Sequence, residues 1–201
     1  MSVTPYDLRG IRAGKYTYTA STHTISYSDF FSVGDAMTAN LELRFAEGRL
    51  YAESALKHYR KKVTGGSISI GVDAMELTAQ QKMFGAASDS TTVSSTAVSG
   101  IKYGNTTSAP ALGIGFYAPA DDAGGSDGFL AVFVAKAVFG PPSMNYQTVG
   151  ESIQWATPTT TGEFLLPDKK ADGTYPEMLY IAECASEAQA VAWIKAKLGE
   201  T

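Results

Sequence analysis

Apolar and polar residues alternate without a break from Met37 to Phe45: Met37, Ala39, Leu41, Leu43 and Phe45 fall on one side, Thr38, Asn40, Glu42 and Arg44 on the other. Successive side chains of a pleated backbone point to opposite faces, so this pattern predicts a strand with one covered face. Ile68, Ile70 and Val72 alternate with Ser67, Ser69, Gly71 and Asp73 in the same way. The intervening residues 47 to 66 are charged and too many for a compact hairpin, which predicts a long functional or disordered loop.

Most other segments also read as β. Lys15 to Ala20 alternates Tyr and Thr after an Ala-Gly pair that suits a turn. Phe129 to Phe139 is apolar on both faces apart from Lys136, the pattern of a central strand covered on each side. Asp127-Gly128 before it suits a turn, and Pro141-Pro142 ends the ladder after it. In the partner segment Leu112, Ile114 and Phe116 share a face, while Gly113 and Gly115 leave the other open to a close neighbour. Further strands are expected at Glu151 to Ala156, with Ile153 and Trp155 inward, and at Met178 to Glu183 after an Asp172-Gly173 turn.

Two helices interrupt this pattern. Thr78 with Gln81 matches a capping box closed by Gly85; Ser186 with Gln189 matches another, followed by Val191, Ile194 and Leu198 at helical spacing, with Trp193 beside them and Gly199 as the stop. The terminal helix, 186–198, is amphipathic and has to dock either on its own sheets, the favoured reading, or on the next subunit.

Composition narrows the class. At 201 residues and 44% apolar content the chain can bury one substantial core, and we read 1–201 as a single domain with an N-terminal arm at 1–14. No apolar run reaches the length of a membrane span, and MSVTPYDLRGIR lacks an apolar signal core, so a soluble, non-exported protein without a membrane partner is expected. Cys184 is the only cysteine, which excludes an internal disulfide, and its apolar surroundings point to a core position. Asn105-Thr-Thr is a formal glycosylation sequon without an expected secretory route. A net charge of -4 argues against gripping nucleic acid. The basic run Lys57, His58, Tyr59, Arg60, Lys61, Lys62 is the local exception, fit for a solvated loop face, an acidic patch on a neighbour or, last in order, phosphates.

Patterns that imitate enzymes fail on context. Gly124-Gly-Ser126-Asp-Gly128 has the letters of a nucleophile elbow, but a strand follows it and both histidines, His23 and His58, precede the serine. Gly113-Ile-Gly115-Phe-Tyr-Ala118 imitates a dinucleotide fingerprint, but Pro119 forbids the helix that would hold a pyrophosphate. Two histidines and one cysteine are too few for an ordinary zinc site, and Asp121, Asp122 and Asp127 lack calcium-loop spacing. No catalytic residue, cofactor or metal is expected.

The order of segments then becomes informative. A strand, "FAEGRLYAES", a basic connector, "GGSISIGVD" and "LTAQQKMFG", followed by "APALGIGFYAP", "FLAVFVAKAVFGPPS", "QTVGESIQWATPTTTGEF" and "SEAQAVAWIKAKL", resembles the major tail tube proteins of long-tailed, non-contractile bacteriophages, particularly the phi13-like group. The resemblance spans about residues 10 to 198; the polar run Ser88 to Gly100 departs from it. It implies a mainly β, two-sheet sandwich or barrel-like fold with a short internal helix, a C-terminal helix and a long assembly loop at 47–66. It further implies a virion subunit, made in the host bacterial cytoplasm, that forms hexameric rings stacked into a hollow tail conduit for DNA ejection. Partners would be further copies of itself and the tape-measure, tail terminator and tail-tip proteins, with DNA sliding through unbound. The inter-ring residues would be Glu47, Arg49, Tyr51, Glu53, Lys57, His58, Tyr59, Arg60, Lys61 and Lys62. Glu42, Arg44, Ser67, Ser69 and Asp73 would face the lumen. The residues also leave open a carbohydrate-binding or adhesin-like sandwich using Trp155 and Tyr146, a hydrolase at Ser126, and a tube subunit of a contractile particle.

Overall fold

The structure, a computed structural model, describes residues 3–122, 127–144, 146–148 and 155–200. Its strands are β1 (Val3–Pro5), β2 (Arg9–Thr19), β3 (Thr24–Gly34), β4 (Ala36–Ala52), β5 (Ala55–Val72), β6 (Ala87–Val93), β7 (Thr96–Lys102), β8 (Leu112–Asp122), β9 (Asp127–Phe139), β10 (Thr159–Phe164) and β11 (Leu179–Cys184); helix α1 (Leu77–Phe84) follows β5 and helix α2 (Glu187–Leu198) ends the chain. The fold is mainly β and sandwich-like, with large antiparallel sheets and two helices. One sheet runs β3-β2-β8-β9-β10-β5-β4; β1 adds to β8 and β11 to β9, while β6 and β7 form a separate ribbon.

The central pair β8–β9 has two covered faces, as expected. Leu112, Ile114, Phe116, Val132 and Val134 enter one core together with Ile11, Ile68, Ile70, Phe164 and Met83. Because that core draws on β2 and β3 from one end of the sheet and β5 from the other, the sheet curls around it. Tyr117, Ala131, Phe133 and Ala135 face the opposite way, into a second core closed by Ala190, Ile194 and Leu198 of α2 and by Cys184. The terminal helix thus docks on its own sheet. Its buried stripe is Ala190, Ile194 and Leu198, with Val191 and Trp193 packed at its flanks. Ser186 Oγ accepts from the Gln189 amide at 3.2 Å, satisfying an orphan donor of the first turn, and Gln189 Oε1 accepts from the amide of Ala185, just before the cap, at 2.7 Å.

The open face of β8 is filled by its neighbours. A Cβ on Gly113 would stand 2.4 Å from the Tyr27 ring, and one on Gly115 2.7 Å from Ile194. Opposite Gly113, β9 carries the extra residue of a bulge, since Leu112 pairs with Ala137 and Ile114 with Val134. Tyr27 lies over this spot and donates to the Ala135 carbonyl at 2.9 Å. Gly113→Val must push the ring off that bond; we expect a loss on the order of 2 kcal/mol, read as a lower urea midpoint. Gly48→Val, where nothing lies within 4 Å of the added Cβ, should leave the midpoint unchanged.

Five expectations require correction. The loop expected over 47–66 is strand throughout, apart from a turn at Glu53-Ser54: β4 and β5 pair continuously from Ala36↔Val72 to Ala52↔Ala55. Both turn residues hold positive φ, 52° and 63°, the geometry of a two-residue hairpin turn, without the glycine or asparagine that usually announces one. The N-terminal arm is woven into the sheet, with β1 on β8 and β2 between β3 and β8. The first capping box is not formed: Glu76 is the N-cap, and Thr78 lies inside α1 with its hydroxyl donating to Glu76 Oε2 at 3.2 Å. Gly85 does close that helix in the left-handed region, at φ 70°. Trp155 is 85% exposed and outside any strand, so it is not a core residue, while 151–154 lie outside the described residues. Asp127, expected in a turn, opens β9 and pairs with Asp121.

Candidate self-assembly surface

The β4–β5 ribbon leaves the body of the molecule. Beyond the Phe45↔Val63 pair, seven residues of β4 and eight of β5 at about 3.3 Å each carry its tip about 25 Å outward. Apart from half-buried Val63, every residue from Glu42 to Thr64 is exposed. Two strands alone are marginal in water, so the ribbon is held by continuity with the sheet at its base.

All ten residues expected between rings fall on this arm, but on different surfaces. Directly paired residues share a face. Phe45, Glu47, Arg49 and Tyr51 therefore lie with Val63, Lys61, Tyr59 and Leu56. This face is internally satisfied: Lys61 Nζ is 3.1 Å and Arg49 Nη2 3.3 Å from the Glu47 carboxylate, the Arg49 guanidinium lies 5.5 Å from the Tyr59 ring centre, and the Lys61 ammonium 4.4 Å from that of Phe45. Hydrogen bonding from Lys61, then from Tyr59, holds the Glu47 carboxyl below its ordinary pKa. Exposed contacts of this kind contribute at most about 1 kcal/mol each and set orientation more than stability. On the opposite face His58, Arg60 and Lys62 stand across from Leu50, Gly48 and Ala46. Lys57 is the extra residue of a bulge and Glu53 sits in the turn. Among the described residues Lys57, Arg60 and Lys62 have no ion-pair partner.

The alternating face of β4 is less covered than period two implies. Ala39 and Leu41 pack on the core, but Met37, Leu43 and Phe45 are exposed, as are Leu50, Tyr51 and Leu56 at the tip, at 57%, 60% and 50%. An apolar stripe therefore runs along an edge strand whose outer side has no ladder among the described residues.

Four of the five lumen candidates do share a surface. Glu42 pairs with Ser67 and Asn40 with Ser69, and across β5 those serines pair with Glu163 and Thr161. Arg44 Nη1 donates to Glu163 Oε1 at 2.8 Å, leaving a polar face with its one cation neutralised. Asp73 is the exception. It lies past the end of β5, where Asp73 Oδ1 accepts from the Asp35 amide at 3.1 Å. Gly71 carries no side chain toward this face because a Cβ would meet Thr38 Oγ1 at 2.5 Å.

No protein-family model matches this chain, and no curated protein matches it. The surface must therefore be read from its own chemistry. Among the described residues no three His, Cys, Asp or Glu side chains are grouped to hold a metal, and no helix is long and apolar enough to cross a membrane. Ser126 lies outside the described residues. His58 is on the arm and His23 in the β2–β3 turn, where its Nδ1 is 2.7 Å from the Tyr18 hydroxyl. Tyr146 and Trp155 are both exposed, on segments separated by residues outside the description.

Two features escaped the sequence reading. Ser88 to Gly100 forms most of the β6–β7 ribbon, turned by Ser94-Ser95 at φ 49° and 65°, with Val93 and Val98 exposed. The other is a half-buried polar knot. The β9 bulge aims Lys136 at Asp168, 2.6 Å away, and Asp168 also accepts from the Tyr16 hydroxyl at 2.8 Å, with the Lys136 ammonium 4.9 Å from the Tyr16 ring centre. It pins the segment before β11 to the sheet. Lys136, the only charge between Phe129 and Phe139, was its signal.

Burial first, then the bond to Asp168, pushes the Tyr16 phenol up to about 12, and burial with the Glu187 bond at 2.7 Å does the same to Tyr117. A raised phenol pKa gives stability that is present below the unfolded value near 10 and lost as pH climbs through the folded one. We expect the melting temperature to fall between pH 10 and about 12, with a shallower fall in the Tyr16→Phe, Tyr117→Phe double variant. An equal fall in both proteins would remove these two phenols as the cause.

Proposed function

We propose that this chain is a structural subunit of a bacteriophage tail tube, assembling head-to-tail into hexameric rings that stack around a DNA conduit in the virion. The observation that carries the reading is the arm: the inner half of the β4–β5 ribbon packs on the core, while its outer half, residues 46–62, is exposed, carries large apolar side chains near its tip and adds no residue to that core. Exposed strand edges and large apolar side chains are a liability that soluble monomers blunt, and pairing with another copy is their natural use. The two ends of the sheet path, β3 and β4, are different strands, so the contact that joins them is heterologous and closes into a ring when the rotation per copy divides a full turn. The polar face of Glu42, Arg44, Ser67, Ser69 and Glu163 supports a lumen role, because its paired cation offers sliding phosphates no free anchor. The tape-measure, terminator and tip proteins as partners follow from the same resemblance.

Negative-stain microscopy and sedimentation over a concentration series test this reading. Uniform hollow rods with a six-fold end view are the expected result. A protein that stays monomeric at millimolar concentration, alone or with preformed phage tails as seeds, overturns it.

A further inference from the structure

We infer that the cationic face of the arm docks into the cleft at the base of the same ribbon in a second copy, making the ring-to-ring joint a charge-matched, head-to-tail contact. This rests on the tube reading and names the receiving surface, which that reading leaves open.

Charge is divided unevenly along the chain. Residues 47–62 hold five cations, Arg49, Lys57, Arg60, Lys61 and Lys62, against Glu47 and Glu53, a net of +3; the whole chain is -4, so the remainder holds -7. Any body therefore attracts any arm, and between copies the attraction is strongest where unpaired charges meet. On the arm those are Lys57, Arg60 and Lys62, beside exposed Leu50.

The matching surface lies at the other end of the ribbon. Asp35 precedes Ala36 and Asp73 follows Val72, and these two strand ends are paired with each other. With Glu76 they rim a cleft of about 380 Å³ whose wall includes Phe31 and Val33, large enough for an apolar side chain and the stem of an arginine. Lys82 also lines it, its ammonium 5.7 Å from the centre of the Phe31 ring, so the cleft sets three carboxylates against one cation. Tip and cleft are separated by the length of β4, about 55 Å for seventeen residues. A copy that offers its tip to the next copy's cleft keeps its own cleft free for the one behind. The contact is heterologous and propagates. Its cations stand on a paired strand, so docking orders their side chains without also having to order a loop.

A charge-swap series tests it, with folding checked by circular dichroism. Arg60→Glu with Lys62→Glu, and separately Asp35→Lys with Glu76→Lys, should each raise the protein concentration needed for rods at least tenfold. The chain carrying all four changes should recover assembly, as should an equal mixture of the two double variants. Should a reversal impair folding, Arg60→Gln with Lys62→Gln and Asp35→Asn with Glu76→Gln should weaken assembly in the same two-sided way. Rods that survive the Asp35 and Glu76 changes, or a four-fold variant that folds but does not assemble, overturn the inference and leave the tube reading intact. Retention of the wild-type arm on duplex DNA at physiological salt, with no effect of cleft changes on assembly, also overturns it. A wild-type protein that never assembles removes both.

Discussion

Excising residues 46–62 and joining Phe45 to Val63 through Asn-Gly yields a folded monomer that forms no rods at any concentration where the intact chain does. The splice is geometrically natural, because Phe45 and Val63 already stand opposite one another in the antiparallel ladder and Asn-Gly takes the positive φ angles that a two-residue turn requires. Stability should hardly change. None of the removed residues is buried, and the ion pairs lost with them, Glu47 to Lys61 and Arg49, are exposed. Surface changes of this kind stay within about 1 kcal/mol, so the melting temperature should move by no more than a few degrees. The division of labour is the point: on the proposed reading the body folds without the arm, and the arm serves only between molecules. Normal rods from the excised protein would take away the observation that supports a tube subunit. A large loss of cooperativity would instead mean that the arm serves the fold.

Where sequence and structure agree, the information was local. Ser186 and Gln189 are three residues apart and cap α2 through bonds that need nothing from the rest of the chain. Gly113 and Gly115 announce a face without side chains, and a ring and an isoleucine fill it. The apolar run of β9 and the proline pair after it mark a central strand and its end. Where they disagree, geometry outweighed the usual residue signals. Glu53-Ser54 and Ser94-Ser95 adopt left-handed backbone at a cost of about 1–2 kcal/mol per residue relative to glycine, so both hairpins fold without the letters that announce a turn. A ribbon therefore looked like a loop, and a polar run like a gap in the pattern. Thr78 and Gln81 match a capping box, yet Glu76 takes the extended cap position two residues earlier. The Tyr16–Lys136–Asp168 knot joins positions as far as 152 residues apart, and no spacing rule reaches that distance.

The candidate surface was legible in its membership and not in its arrangement. The ten arm residues were named through the resemblance, and only the basic run Lys57 to Lys62 stood out by its own charge and aromatic content. Their division into a satisfied face and an unsatisfied one depends on register, and a one-residue slip would exchange the two. Period two places Glu42, Arg44, Ser67 and Ser69 together correctly, but it fails for Asp73 because β5 ends at Val72.

Replacing Phe133 by alanine should cost about 3–5 kcal/mol and lower the melting temperature by about 10 °C, the largest single-residue effect expected on stability. Phe133 is 2% exposed at the centre of the second core. Its ring meets Tyr27 edge-on at 5.8 Å and tilts against Tyr180 at 6.2 Å. The lost area is only part of the cost. Tyr27 is held above by its bond to the Ala135 carbonyl, and α2 closes the core below, so neither side can collapse into the space the ring leaves. Phe45→Ala provides the contrast: the same truncation, on an exposed ring over the arm, should change stability by less than about 0.5 kcal/mol and weaken assembly. The two phenylalanines thus separate the fold from the proposed assembly by readout. Calorimetry on Phe133→Ala and rod formation by Phe45→Ala check the pair, and a Phe133→Ala protein with an unshifted melting temperature would mean that α2 re-docks to fill the cavity.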